Sequence, residues 1–331
     1  MKLSPKVSIV IPVYNGADFL SQAIDSALAQ TYPHTEILVV NDGSDDSGAT
    51  EQIALSYGEK IRYFTKENGG VASALNFAIG KMTGDYFSWL SHDDIYYPDK
   101  VDSQIKALSG ISHQRTILYG DFAIFFADPN VVKRVTLPGV PPEHFRYFIT
   151  INNSLHGCTL LIPRAAFEEC GLFNEGLQTT QDYDRWFKMA EKFNFVHIPH
   201  LLVKARQHAA QGILKMKDIA LLECEHLLTG FVDSLSQNEM IKATNKSISL
   251  SYAEISVSMV HRGFSNTARY ATHLAMKNIY QGSTANAFKT VSVLLMAKVI
   301  HSQIGLLRSS PIWSRFIRPL KNMLLSFQIR R

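Results

Sequence analysis

Residues 85–98 read DYFSWLSHDDIYYP. From Tyr86 to Leu90 the side chains have the composition of a buried strand. That run stops on two adjacent carboxylates, Asp93 and Asp94, beside His92. Acids delivered by a strand end have a natural place in open α/β sheets, where ligands bind beyond the carboxyl ends of the strands. Whether such a sheet is present depends on the residues upstream.

Upstream, apolar strands alternate with helical patterns. VSIVIPV (Val7–Val13) reads as a buried strand, and Asp18–Gln30 carries apolar residues at helical spacing. EILVVN (Glu36–Asn41) is a second strand, closed by the turn DGSDDSG. Ala49–Tyr57 reads as a helix, Ile61–Thr65 as a strand, and Val71–Lys81 as a helix after the break NGG. This β-α-β-α-β rhythm predicts an α/β fold with a mostly parallel sheet and helices on both faces. Asn15, Asp42, Asn68 and Asp93 each fall just past a strand end, so one edge of the sheet collects them.

Two nucleotide-binding devices are excluded by motif. The first strand ends in PVYNGADF, with one glycine and a bulky aromatic where a dinucleotide fold needs GxGxxG. No GxxxxGK[ST] occurs. The chain of 331 residues, 46% hydrophobic and 19% charged, is globular in composition and long enough for one or two domains. After MKLSPK the apolar run is broken by Pro12 and no cleavage site follows, so no signal peptide is expected. No stretch reaches the length of a transmembrane helix. Cys158, Cys170 and Cys224 are odd in number and lack CxxC spacing, as expected of reduced, mostly buried thiols in a cytosolic protein.

The net charge of +4 hides an asymmetry. Ile255–Arg331 holds 11 Lys or Arg and no Asp or Glu, whereas the rest holds 22 basic and 29 acidic residues. Helical patterns take over from Lys215. Residues 1–220 are therefore expected to form the catalytic domain, and 221–331 a basic helical region. Its last segment interleaves Lys and Arg with Trp313, Phe316 and several leucines, a composition suited to an anionic membrane surface. A packed bundle with a basic exposed face is the alternative. Nucleic acid is disfavoured because no nucleic-acid motif accompanies the charge.

The acids suggest chemistry. Paired carboxylates at a strand end suit a hard divalent cation, which takes oxygen ligands and keeps waters or phosphate oxygens as the others. A solvated turn with an Asx cap is the competing explanation. Asp42 follows the second strand, where a carboxylate can accept from a base N–H or a ribose hydroxyl; Asp45 and Asp46 read as turn-formers. In TTQDYDRWFKMAEKF, Thr179 or Thr180 is a plausible N-cap and Asp182 lies in the first helical turn, a position that also simply favours an acid. His208 in ARQHAAQG could complete a cation site.

PVYNG, VVNDGSDD, ENGGVASALN, SWLSHDD, QDYDRWFKMA and RQHAAQ, in this order, resemble family 2 glycosyltransferases over about residues 5–215. The resemblance implies the A-type glycosyltransferase fold, with a nucleotide-binding sheet. It also implies transfer of a sugar, with inversion, from a nucleotide-diphosphate sugar that is commonly a UDP-sugar. Carried over by position, Pro12, Tyr14 and Asn15 line the base and ribose pocket, and Asp42 binds the base. Asn68 and Gly70 lie close to the donor, and Asp93 holds the metal on the diphosphate. Asp182 is the catalytic base, and His208 reaches the metal or diphosphate. Mn²⁺ or Mg²⁺ is the implied cofactor, on Asp93, Asp94 and His208. Two departures stand out: Ser91 replaces the first acid of D-x-D-D, and Gln181 replaces a Glu before the base. Gln181 removes a like charge next to Asp182 and so lowers the base's pKa. His92 is expected at a helix entry or on the acceptor side. The expected acceptor is a lipid-linked saccharide or polysaccharide, at the inner face of the cell membrane. A nucleotidyltransferase of similar fold and a non-catalytic sugar-nucleotide-binding protein are the alternatives.

Overall fold

The computed structural model describes residues 4–111, 113–152, 154–208, 216–281 and 283–295. VSIVIPV forms β1 (Val7–Val13), buried at every residue. A strand buried along its whole length is covered on both faces, which is why it reads as a continuous apolar run. It pairs in parallel with β2 (Thr35–Asn41) on one side and β4 (Tyr86–Trp89) on the other. β3 (Arg62–Thr65) adds in parallel to β2. The short β8 (Ile162–Pro163) closes the other edge, antiparallel to β4, giving the order β3-β2-β1-β4-β8. Helices α1 (Leu20–Leu28), α2 (Ala49–Ser56) and α3 (Gly70–Lys81) connect the strands, each within two residues of the bounds read from the sequence.

The chain steps outward from β1 to β3, then places β4 on the opposite side of β1. Strand order reverses there, and that reversal opens a crevice at the carboxyl ends of the strands. Val13, Asn41 and Thr65 are level in the register, so Tyr14, Asp42 and Lys66 leave the sheet side by side. A proline inside a central strand normally forfeits a ladder bond. Pro12 escapes this cost. The Val10 carbonyl faces β4, where it accepts Leu90 N–H, and the Val13 carbonyl faces β2. By alternation Pro12 faces the β4 side, beyond the last β1–β4 pair at Val10 and Trp89.

A second, mixed sheet was not anticipated from the sequence. It has the order β5-β9-β6-β7, from β5 (Ile95–Tyr96), β6 (Thr116–Phe125), β7 (Lys133–Val135) and β9 (Asn194–Arg206). β6 and β9 run parallel, and the register slips around Asp121. Next to the slip, Gly120 leaves no room for a side chain: a Cβ there would stand 2.6 Å from Leu202 Cδ1. This sheet matters for function because β9 ends at Arg206, two residues before His208.

The chain divides into two compact units. One holds the residues up to Pro142 with Ser154–Ala220, and the other holds Glu143–Asn153 with the helices after Leu221. In the first, α4 (Lys100–Ala107), α6 (Arg164–Cys170) and α7 (Gln181–Met189) complete the α/β layers. In the second, α5 (Phe145–Ile151) joins α9 (Gln237–Thr244) through Arg146 and Glu239, 2.7 Å apart. It also joins α10 (Ile248–Arg262) through Ser258 Oγ, which donates to the Ile151 carbonyl at 2.7 Å. α8 (Lys217–Ser234), α11 (Ser265–Lys277) and a helical run over 284–295 make up the rest of the described part. Trp313 and Phe316, on which the membrane expectation leaned, lie outside the described residues.

Candidate active site

β1, β2 and β3 bring their following loops together, and those loops lock onto one another. Asp42 is 3% exposed, and its carboxylate is fully engaged. Oδ1 takes the Lys66 ammonium at 2.8 Å and Gly69 N–H at 3.1 Å, and Oδ2 takes Gly70 N–H at 2.7 Å. Asn68 Nδ2 donates to the Asp42 carbonyl at 2.9 Å. Asp42, expected on the base, also shapes the Asn68–Gly70 loop at the start of α3. Lys66, absent from the sequence reading, is its counter-charge. A lysine at a strand end four residues before a helical pattern was the available signal.

Around Tyr14 the rim is open and polar. Tyr14 is 45% exposed, and its hydroxyl donates to Asp45 Oδ1 at 3.3 Å. Asn15, with φ of 50°, donates from its side chain to the same carboxylate oxygen, and its N–H donates to Ser44 Oγ at 2.9 Å. Asp45 thus organises the rim, whereas Asp46 caps α2 by accepting Thr50 N–H at 3.0 Å. Pro12 is buried within β1, short of this rim.

β4 delivers Ser91–Asp94 to the same edge. His208 Nε2 lies 3.0 Å from Asp93 Oδ2. Arg206 grips the loop: its Nε donates to the Asp93 carbonyl at 2.9 Å and its backbone N–H to Asp94 Oδ1 at 3.0 Å. The guanidinium is layered between the rings of Phe19 and Phe125, 4.2 and 4.5 Å from their centroids. Asp93 and His208 remain partly exposed, at 14% and 22% of their side chains. Asp94 is buried, and its Oδ2 lies 3.6 Å from His156 Nε2. Burial first, and then the charge of Asp93, push its carboxyl up to about 8. Ser91 turns inward: its N–H and hydroxyl both lie 3.3 Å from the Cys158 sulfur. His92 packs over Gly16, where a Cβ would come within 2.5 Å of its ring, and burial lowers its pKa.

The fit to a divalent cation can be tested on these distances. Octahedral ligands at about 2.1 Å from an ion stand about 3 Å apart along an edge. Asp93 Oδ2 and His208 Nε2 have that separation. Asp94 does not point the same way, since its oxygens meet Arg206 N–H and His156. The pair Asp93 and His208 therefore fits as ligands, and Asp94 supports the loop that carries them.

Asp182 lies in the first turn of α7. Thr180 occupies the N-cap position, but its hydroxyl makes no capping bond. Asp182 Oδ1 accepts Tyr183 N–H at 2.8 Å, yet desolvation outweighs this and raises the carboxyl pKa to about 6. Tyr183 then ties α7 to residues 155–158, which touch the Ser91–Asp94 loop. Its hydroxyl accepts Leu155 N–H at 3.1 Å; His156 contacts Asp94; Cys158 contacts Ser91. Between them Gly157 fits against two indoles: a Cβ there would lie 2.9 Å from Trp89 and 3.7 Å from Trp186. Residues 155–158, of which the sequence reading noted only Cys158 and only as a buried thiol, thus join the Ser91–Asp94 loop to the start of α7. One acid has its pKa raised to about 6 and another faces an imidazole, groups chemically able to accept a proton and to ligate a cation.

Comparisons with known proteins bear on this geometry. The family described as "Glycosyl transferase family 2" matches residues 8–171. An uncharacterized glycosyltransferase of Rickettsia typhi is 42% identical over 311 residues, covering 91% of this chain and 94% of its own length. One from Rickettsia felis is 48% identical over 72% of this chain, which spans only 40% of that relative. Chondroitin synthase of Pasteurella multocida is 32% identical over 65% of this chain and 22% of its own. Among solved structures, S. aureus TarS 1-349 in complex with UDP-GlcNAc has a TM-score of 0.52 at 16% identity, covering 84% of this chain and 92% of that one. The mannosyltransferase PcManGT from Pyrobaculum calidifontis, in complex with GDP-Man and Mn²⁺, has a TM-score of 0.55 at 15% identity, covering 93% and 89%. At these identities the structural likeness is one of fold.

Proposed function

This chain belongs to glycosyl transferase family 2, with the A-type fold of its structural neighbours, and from that premise we propose an inverting transfer from a nucleotide-diphosphate sugar, in the first instance a UDP-sugar. The acceptor is a hydroxyl of a lipid-linked saccharide or a polysaccharide. The observation that carries this reading is the Asp93–His208 contact on the Ser91–Asp94 loop, with residues 155–158 touching both that loop and Tyr183, the neighbour of Asp182. The likeness to a chondroitin synthase supports a saccharide acceptor, and the UDP-GlcNAc and Mn²⁺ of the neighbours support the donor and the ion.

Asp93 and His208 would hold Mg²⁺ or Mn²⁺, which supplies positive charge for the diphosphate as it leaves. Tyr14, Asn15 and the Asn68–Gly70 loop shaped by Asp42 form the base and ribose side. Asp182 takes the proton of the acceptor hydroxyl as its oxygen attacks the anomeric carbon. A carboxyl titrating near 6 is ionised at neutral pH yet basic enough to accept that proton. Gln181 beside it adds no second charge. The triphosphate chemistry of a nucleotidyltransferase has no use for a base in this place.

Among the described residues no helix is long and apolar enough to cross a membrane. Peripheral attachment to the inner face of the cell membrane, through the acid-free stretch after Ile255, is the location we propose. The functional test is a panel of nucleotide sugars with Mn²⁺, read by donor hydrolysis or transfer. Asp182→Asn is expected to keep nucleotide affinity and to lose about 10²–10⁴-fold in turnover. Near wild-type turnover in that variant would remove Asp182 as the base.

A further inference from the structure

Among the described residues of the α/β unit, the two most exposed large apolar side chains share one hairpin tip. Phe126 is 70% exposed and Val131 72%, and the next in that unit, Leu55, reaches 58%. They flank the turn between β6 and β7, whose strands pair from Ile124 with Lys133 to Phe122 with Val135. The tip is held in shape. Asn130 N–H donates to Asp128 Oδ1 at 2.8 Å, Val131 N–H to the Asp128 carbonyl at 3.1 Å, and Lys204 Nζ to the Pro129 carbonyl at 3.0 Å. The apolar side chains therefore project from a fixed frame, which keeps the cost of ordering them on contact small.

The tip stands at the mouth of the candidate site. Phe125, the residue before it, is fully buried under the Arg206 guanidinium, and its carbonyl accepts Gln207 N–H at 2.8 Å. Arg206 grips Asp93 and Asp94, and His208 follows two residues later. Below the tip lies a basic collar of Lys133 and Arg134, both exposed, with Lys204; the tip's one acid, Asp128, is exposed, and one of its oxygens accepts Asn130 N–H within the turn, so the cations outnumber it three to one. An aromatic and an aliphatic side chain above a ring of cations match an interfacial bilayer contact, with apolar tips in the acyl boundary and cations at anionic headgroups. A protein partner would need a far larger patch.

We propose that the β6–β7 tip seats the mouth of the active site on an anionic bilayer, from which the acceptor is presented. This rests on the lipid-linked reading of the acceptor, and it assigns the contact to the catalytic unit itself and not only to the basic tail. The test uses the full chain with vesicles of phosphatidylglycerol and phosphatidylcholine in equal parts, with a brominated phosphatidylcholine as quencher. In Phe126→Trp the added indole fluorescence is expected to shift to the blue and to be quenched, beyond the background of Trp89, Trp186 and Trp313. The double variant Phe126→Ser, Val131→Ser is expected to bind vesicles about 10- to 100-fold more weakly, the effect of withdrawing these two side chains from the acyl boundary. Its melting temperature and its donor hydrolysis in solution are expected to be unchanged. An unquenched added indole on vesicle-bound protein overturns the proposal, as does wild-type vesicle binding by the serine pair or failure of the wild type to bind. Donor hydrolysis is measured without vesicles, so a failure of the transferase reading shows itself separately.

Discussion

Asp182 holds its charge in a poorly solvated place, with Tyr183 N–H as partner to one oxygen. A carboxyl titrates near 4 in an unfolded chain and about 6 here. The protonated form is therefore favoured by the fold: that contribution to stability is complete below about 4 and lost as the pH rises through 6. Asp182→Asn should then melt higher than wild type at alkaline pH and lose this advantage in acid, as calorimetry across pH would show. In the active enzyme the same ionisation should give turnover an acidic limb near 6, absent from the residual activity of the Asn variant. The proposed cation site makes a second residue-by-residue claim. Asp93→Ala and His208→Ala should each raise the metal concentration for half-activation by about 10-fold or more, whereas Ser91→Ala should leave it near wild type. The reason is direction, because Asp93 and His208 face each other and the Ser91 hydroxyl faces Cys158.

Two elements carry these groups, and each has a point of strain or charge that can be probed. Residues 155–158 pass between Trp89 and Trp186 only because residue 157 lacks a side chain. Gly157→Ala puts a methyl within 3.0 Å of a packed indole and should cost about 1–3 kcal/mol in urea unfolding, with a fall in turnover as both carboxylate centres shift. Beneath the Ser91–Asp94 loop, α4 buries Lys100 completely. Its ammonium donates to Ser88 Oγ at 2.8 Å and Gln104 Oε1 at 2.9 Å, and it sits 4.4 Å from the centre of the Tyr96 ring. Tyr96 in turn donates to the Trp89 carbonyl at 2.6 Å, fixing the end of β4. Burial without a carboxylate partner lowers the Lys100 pKa to about 7, far below its value in an unfolded chain. The neutral amine is thus the form the fold prefers, and the stability it brings is complete above about 10 and lost as the pH falls through 7. Lys100→Met should flatten that rise in stability between neutral and alkaline pH, measured by urea unfolding at a series of pH values.

For the molecule as a whole, donor binding should appear as linked stability. UDP with Mn²⁺ is expected to raise the melting temperature, by the equivalent of about 2.7 kcal/mol at a hundred times its dissociation constant, and UDP with EDTA to raise it much less. Equal protection in EDTA would show that the nucleotide binds without an ion, and would remove the cation from the proposed donor site. Much of this molecule was legible in the sequence. Hydrophobic runs of strand length, such as Val7–Val13 and Glu36–Asn41, and the helical spacing between them are local signals, so the parallel sheet and the edge that collects Asn15, Asp42, Asn68 and Asp93 could be read in advance. So could the position of Asp182 in a first helical turn, and the family, through six motifs in register. What remained hidden depended on contacts between residues far apart in the chain. Asp42 was expected on the base, and the closing of Lys66, Gly69 and Gly70 on it carried no local signal; Asp94 read as a partner of Asp93, yet Arg206 and His156 draw it inward. Gly157, Lys100 and the mixed second sheet carry no local signal, and α5 lies within the α/β sequence yet packs with α9 and α10. Strand and helix follow from neighbours a few positions apart, but the direction of a carboxylate is set by whichever donors the completed fold brings within 3 Å, and here many of those lie tens of residues or more away.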